Sequence, residues 1–151
     1  MQLYGEPYKA PEGAPTCVIV DIDGTLTHMD GKRGTFEWDK VGQDSCDQVV
    51  KRIVDEFSSD NEIIVMSGRD GICYDLTKQW LDDHDIYYDR LVMRKAGDMR
   101  KDYIVKRELF DEHIRGKYAV TVVVDDRKQV IREWHRIGLK VIAVGDQNIE
   151  F

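Results

Sequence analysis

Apolar positions along the chain follow two rhythms. Residues 17–20, 63–66, 91–93 and 119–124 are short, nearly continuous apolar runs that stop abruptly at polar residues. Runs of that length suit strands buried on both faces of a parallel sheet. Between them the apolar positions recur at helical spacing. Cys46, Val49, Val50, Ile53, Val54 and Phe57 fall at i, i+3, i+4, i+7, i+8 and i+11, which predicts an amphipathic helix with Asp44 as its N-cap. A shorter helix around 75–83 turns Leu76, Trp80 and Leu81 inward, and one over 101–114 carries Lys106 in its interior. Val130, Ile131, Trp134 and Ile137 mark a further helix, with Gly138 where a C′ glycine belongs. Residues 139–144 supply a last strand. Strands alternating with helices imply βαβ crossovers and a three-layer α/β domain around a parallel sheet.

Two stretches stand outside this alternation. Residues 1–16 hold all three prolines together with Gly5 and Gly13, and read as an irregular arm ahead of a single domain over 17–151. Residues 28–43 contain three glycines and little periodicity, and read as a loop or short hairpin overhanging the end of the first strand, with Lys32 and Arg33 at its tip.

Composition narrows the picture a little. At 151 residues the chain can bury one core. No apolar run approaches the roughly 20 residues of a membrane span, and the N-terminus lacks the apolar region of a signal peptide. Cys17, Cys46 and Cys73 have no paired spacing and read as reduced thiols, so a cytoplasmic protein without a membrane partner is expected. His28, His84, His113 and His135 show no metal-ligand spacing. The net charge of −7 argues against a broad nucleic-acid footprint, though not against recognition of one terminal phosphate.

The candidate chemistry sits where the apolar runs end. The first runs into Asp21-Ile22-Asp23-Gly24-Thr25, the second into Ser67-Gly68-Arg69, and the fourth into Asp125-Asp126-Arg127. Ligands of open α/β sheets bind at the carboxyl ends of strands, so these groups converge on one edge. Paired carboxylates there are costly to desolvate without a cation, and Mg²⁺ together with a phosphate dianion meets that demand. Asp21 suits a nucleophile that splits one displacement into two, and Asp23 a general acid and base. Thr25 and Ser67 offer hydroxyls, and Gly24 and Gly68 let backbone N–H groups approach phosphate oxygens. Trp38, Tyr87 and Tyr88 are weaker candidates for stacking, and Trp134 reads as core.

In that order, DIDGT, SGR, a downstream lysine and DDR resemble the four motifs of the haloacid dehalogenase superfamily of aspartyl-phosphate phosphatases. The segments Gly97-Asp-Met-Arg-Lys-Asp and Asp125-Asp-Arg-Lys-Gln-Val-Ile-Arg-Glu-Trp-His-Arg-Ile-Gly are similar to the 3′-phosphatase domains of phage polynucleotide kinase/phosphatases. The resemblance covers about residues 17–145. It implies a Rossmann-like sheet without a large cap domain and a Mg²⁺-dependent polynucleotide 3′-phosphatase acting in nucleic-acid end repair, in the host cytoplasm if phage-encoded. Asp21, Asp23 and Lys106 would be catalytic, with Lys101 the rival to Lys106. Asp21, Asp23 through its carbonyl, and Asp125 or Asp126 would hold the metal. Gly24, Thr25, Arg33, Ser67, Gly68 and Arg69 would bind phosphate, and Arg94 and Lys95 would meet neighbouring backbone phosphates. Its partners would be 3′-phosphorylated nucleic-acid ends and a separate kinase or ligase module, since no GxxxxGK[ST] phosphate loop is present.

Two other readings stay open at this point. A small-molecule phosphatase or nucleotidase of the same superfamily would use the same four motifs. A phosphoryl-accepting receiver module shares acids, a hydroxyl and a lysine at strand ends, but places its acidic pair on the first strand and its lone acceptor on a later one.

Overall fold

The computed structural model describes residues 6–151. Its centre is a five-stranded parallel sheet built from β1 (Thr16–Val20), β4 (Glu62–Ser67), β5 (Arg90–Met93), β6 (Ala119–Asp125) and β7 (Val141–Ala143). The strand order is β5-β4-β1-β6-β7, so β1 is central. The helices are α1 (Gln48–Phe57), α2 (Tyr74–Asp83), α3 (Asp102–His113) and α4 (Lys128–Arg136). Alternation along β1 divides the core in two. Val18 and Val20 pack with α1 and α2 residues such as Val50, Val54, Trp80 and Leu81, whereas Cys17 and Ile19 pack with Val105, Phe110, Val130 and Trp134 of α3 and α4. This is the three-layer fold expected, and the two-sided burial explains why the strands read as continuous apolar runs. The chain moves outward from β1 to β5, then returns to the other side of β1 as β6. The order reverses between β1 and β6, which puts the crevice of the sheet between Asp21 and Asp125.

Several local expectations are corrected. The N-cap of α1 is Asp47, whose side chain accepts from the amides of Val49 and Val50 at 3.0 Å. Asp44 lies three residues earlier and is buried in the site described below. Val49 is exposed although its spacing fits the apolar face, because that face is centred on Val50 and Val54. Leu76 is also exposed, and Thr77 takes the inward position on α2 to meet a buried arginine. Of the loop or short hairpin expected over 28–43, the structure has the hairpin. A two-stranded antiparallel ribbon, β2 (Thr27–His28) with β3 (Ser45–Cys46), closes its base, and a 3₁₀ segment, Trp38–Gln43, runs along it.

Residues 6–15 have no helix or strand, yet they are docked. The Tyr8 hydroxyl donates to the Tyr118 carbonyl at 2.5 Å and accepts from the Val120 amide, and its ring meets Phe110 edge-on. Residues 1–5 of the expected arm lie outside the described residues. All three cysteines are free thiols, and burial pushes Cys17 up to about 12.

Asp47→Ala removes the cap on two amides and should cost about 1 kcal/mol in urea unfolding. Asp47→Ser should recover most of it. Equal stability of wild type and Asp47→Ala would mean the cap contributes nothing.

Candidate active site

The first strand ends in a tight turn that aims its carboxylates apart. The amides of Thr25 and Thr27 both donate to the Ile22 carbonyl, and Gly24 donates to the Thr27 carbonyl at 2.8 Å. Gly24 has a φ of +79°, and a Cβ there would lie 2.2 Å from Asp126 Oδ2, so only glycine fits the turn against that carboxylate. Within the turn Asp21 points toward β6 and α3, and Asp23 toward β4 and the ribbon.

Asp21 joins Asp125 and Asp126 in a cluster whose ligand oxygens lie within 4.8 Å of one another, all three buried. Lys106, buried in the middle of α3, donates to Asp21 Oδ1 at 2.6 Å and to Asp125 Oδ2 at 3.2 Å. Lys101, its rival in sequence, is exposed at the N-cap of that helix. The Thr25 hydroxyl bridges Asp21 Oδ2 and Asp126 Oδ1 at 3.0 and 3.1 Å. Asp125 also accepts the amides of Asp126 and Arg127 and the indole N–H of Trp134. Trp134 is therefore core, as expected, and also steadies a site carboxylate.

Three carboxylates face one ammonium here, a deficit of two positive charges. Burial pushes the Asp21 carboxyl well above the ordinary carboxylate range, Asp125 adds to the rise, and Lys106 opposes it only in part. Burial raises Asp126 as well. Burial would deprotonate Lys106, but Asp125, Asp21 and Asp102 outweigh it and hold the ammonium charged. An all-oxygen donor set short of two positive charges fits a hard divalent cation.

Asp23 belongs to a second, separately neutralised cluster. Arg69 donates from Nε to both Asp23 oxygens at 3.1 Å and from Nη2 to Asp23 Oδ1 and Asp44 Oδ2, each at 2.8 Å. Arg33 grips Asp44 in a bidentate pair at 2.7 and 2.9 Å and reaches Asp23 at 3.2 Å. Burial favours a protonated Asp23, but Arg69 and then Arg33 outweigh it and hold the carboxyl below its ordinary range. Charge here balances, two against two.

Both arginines, expected at the phosphate, here meet protein acceptors. The remaining Arg69 Nη1 donates to Thr77, and Arg33 Nη1 to the carbonyls of Gly34 and Thr35, so both guanidiniums are occupied with protein acceptors. Arg94 is likewise committed, to the carbonyls of Gly68 and Asp98 and to Asp102. Ser67 is buried at the end of β4, where its hydroxyl accepts the Arg69 amide. Gly68 backs onto Asp102, whose Oδ1 would lie 1.5 Å from a Cβ at that position. Trp38 reaches the site's rim, whereas Tyr87 and Tyr88 line a different depression, with Tyr74 and Arg90.

Asp44 and Asp102 were missed as site residues. Asp44 mimics an ordinary N-cap just ahead of a helix, and its role is visible only when Arg33 and Arg69 arrive from distant loops. Asp102 hides in a stretch dominated by lysine and arginine. Over both clusters lies a cleft of about 670 Å³, lined by Asp21, Asp23, Gly24, Gly68, Arg69 and Asp126 and rimmed by Phe36, Trp38, Met99 and Lys101.

Truncating Asp44 leaves Arg33 and Arg69 sharing Asp23 with one buried positive charge uncompensated, so Asp44→Ala should lower stability by about 3–5 kcal/mol in urea unfolding. A loss below about 1 kcal/mol would show that the arginines find other acceptors.

Known proteins resemble the chain in both sequence and fold. The family of the polynucleotide kinase PNKP phosphatase domain matches residues 15–149. A bifunctional polynucleotide kinase/RNA ligase of Autographa californica nuclear polyhedrosis virus is 36% identical over 141 residues, covering 89% of this chain and 20% of that protein. Solved chains of the Pnkp1/Rnl/Hen1 RNA repair complex superpose with TM-score 0.87 at 35% identity, over 91% of this chain and 45% of theirs. The chain thus spans less than half of these relatives. A class C acid phosphatase from Bacillus anthracis shares the fold alone, with TM-score 0.60 at 14% identity over 91% of this chain and 69% of that one.

Proposed function

The chain belongs to the family of the polynucleotide kinase PNKP phosphatase domain, a phosphatase branch of the haloacid dehalogenase fold, and from that premise we propose that it removes 3′-phosphates from nucleic-acid ends through an aspartyl-phosphate on Asp21. The observation that carries the reading is the division of charge at the site: Asp21 lies in a cluster two positive charges short, and Asp23 beside it is neutralised independently. The two carboxylates therefore have separate partners, so a cation added to the first cluster would favour an ionised Asp21 without drawing Arg69 and Arg33 away from Asp23.

In the first step a carboxylate oxygen of Asp21 attacks phosphorus while the bond to the 3′ oxygen breaks. Lys106 orients the carboxylate through Oδ1 and Thr25 through Oδ2. Asp23 gives its proton to the leaving oxygen. That proton has to be acquired against Arg69 and Arg33, and an incoming phosphate dianion favours it by raising the carboxyl's proton affinity. In the second step Asp23, again ionised, takes a proton from water, which attacks phosphorus and frees Asp21. Asp44 keeps Arg33 and Arg69 on Asp23 throughout. Mg²⁺, when bound, would neutralise the two uncompensated charges, held by Asp21, Asp125, Asp126 and the Asp23 carbonyl.

The polynucleotide substrate follows from family and relatives, and the cleft's open rim suits a chain end. Only a few exposed cations, such as Arg100 and Lys101, border it, so affinity should fall shallowly with salt, at about −0.7 per phosphate contacted. The viral relative combines kinase with ligase, and the solved neighbours assemble with Rnl and Hen1; this domain is read as working beside such modules, in the cytoplasm. Among the described residues no helix is long and apolar enough to cross a membrane.

A 3′-phosphorylated oligonucleotide should exceed a 5′-phosphorylated one and a 3′-mononucleotide in kcat/KM. Equal efficiency on the mononucleotide would favour a nucleotidase. Asp21→Asn should abolish turnover and Asp23→Asn lower it about 10²–10⁴-fold; near-normal activity of Asp21→Asn would refute covalent catalysis there. Chelation should stop turnover, and added Mg²⁺ should restore it and raise the Tm of wild type more than that of Asp126→Asn. An identical Tm response in the two proteins would exclude Asp126 as a ligand.

A further inference from the structure

The cleft is charged at its floor and apolar at its rim. Phe36 is 77% exposed and Met99 85%, and each reaches the cavity that holds Asp21 and Asp23, from a different loop. Large side chains so exposed gain little from folding, and together at a site they mark a surface kept for a ligand. Phe36 is also held in place. Its ring meets Trp38 edge-on, with centroids 6.0 Å apart and planes at 74°. Trp38 in turn lies 6.0 Å from the Arg33 guanidinium, which binds Asp44 and Asp23. A run of contacts thus ties the rim aromatic to the proposed acid/base group.

We propose that Phe36, assisted by Met99, seats the nucleobase of the terminal nucleotide whose 3′-phosphate meets Asp21. The inference rests on the polynucleotide 3′-phosphatase reading. A phosphate fixed at Asp21 carries its nucleoside through a single ester oxygen, so the base must lie within one nucleotide's width of the floor. Phe36 supplies a flat ring in that cavity, and the Met99 thioether is a polarizable surface suited to an aromatic partner. Every base has a π face, so stacking here gives affinity without sequence choice. It also supplies apolar contact in a protein whose site arginines are occupied internally. Trp38 is a positioning residue, setting the plane of Phe36.

The test compares two 3′-phosphorylated oligonucleotides, one ending in a normal nucleotide and one in a tetrahydrofuran abasic analogue. Phe36→Ala should raise KM on the base-bearing end about 5- to 150-fold, with kcat unchanged. On the abasic end the same variant should match wild type. Phe36→Tyr should behave as wild type on both ends, and Met99→Ala should show a smaller rise confined to the base-bearing end. Wild-type turnover of both ends with no effect of Phe36→Ala, or an equal effect on both, overturns the seat and leaves the phosphatase reading standing. No wild-type turnover of either end overturns both.

Discussion

The structure depends on keeping four buried carboxylates, Asp21, Asp44, Asp125 and Asp126, at one edge of the sheet beside the half-buried Asp23. A buried anion without a partner costs several kcal/mol, so each must be answered by a cation or a donor. The fold answers unequally. Arg33 and Arg69 balance Asp23 and Asp44 completely, while Lys106 alone faces Asp21, Asp125 and Asp126. Imbalance on one side and balance on the other separate the two carboxylates of the DIDGT turn electrostatically, although one residue lies between them. The functional reading follows from that separation more than from any single distance.

Much of this was legible before any coordinates. Continuous apolar runs announced strands buried on both faces, and the polar residues that stop them, at Asp21, Ser67 and Asp125, announced the sheet edge where the chemistry lies. The family was readable from the spacing and order of those motifs. What could not be read depends on direction and partner choice. An arginine after a strand looks the same in sequence whether it faces a phosphate or a carboxylate, and only the buried Asp44 turns Arg33 and Arg69 toward Asp23. Val49 and Leu76 fit helical spacing yet face water, because spacing gives a stripe and packing decides where its centre falls. The ribbon closing residues 27–46 could be read only as an alternative to a loop, because its strands have two residues each, too few for a period to register.

The same loop links the site to its surroundings. Arg33 faces the carboxylates from within, and Phe36 and Trp38 form the rim a few residues later, so substrate contact and acid/base positioning are carried by one stretch of chain. The chain spans less than half the length of its relatives, and its cleft is rimmed by the same loop that positions Arg33.

The claim on which the account turns is that phosphoryl transfer proceeds through Asp21 in two displacements. Each in-line displacement inverts configuration at phosphorus, so the direct measurement is the stereochemical course with a 3′-phosphorothioate substrate whose two terminal oxygens are different isotopes, in water carrying the third. Two displacements predict net retention of configuration in the released thiophosphate. Net inversion would show that water attacks the substrate directly and would contradict a covalent role for Asp21.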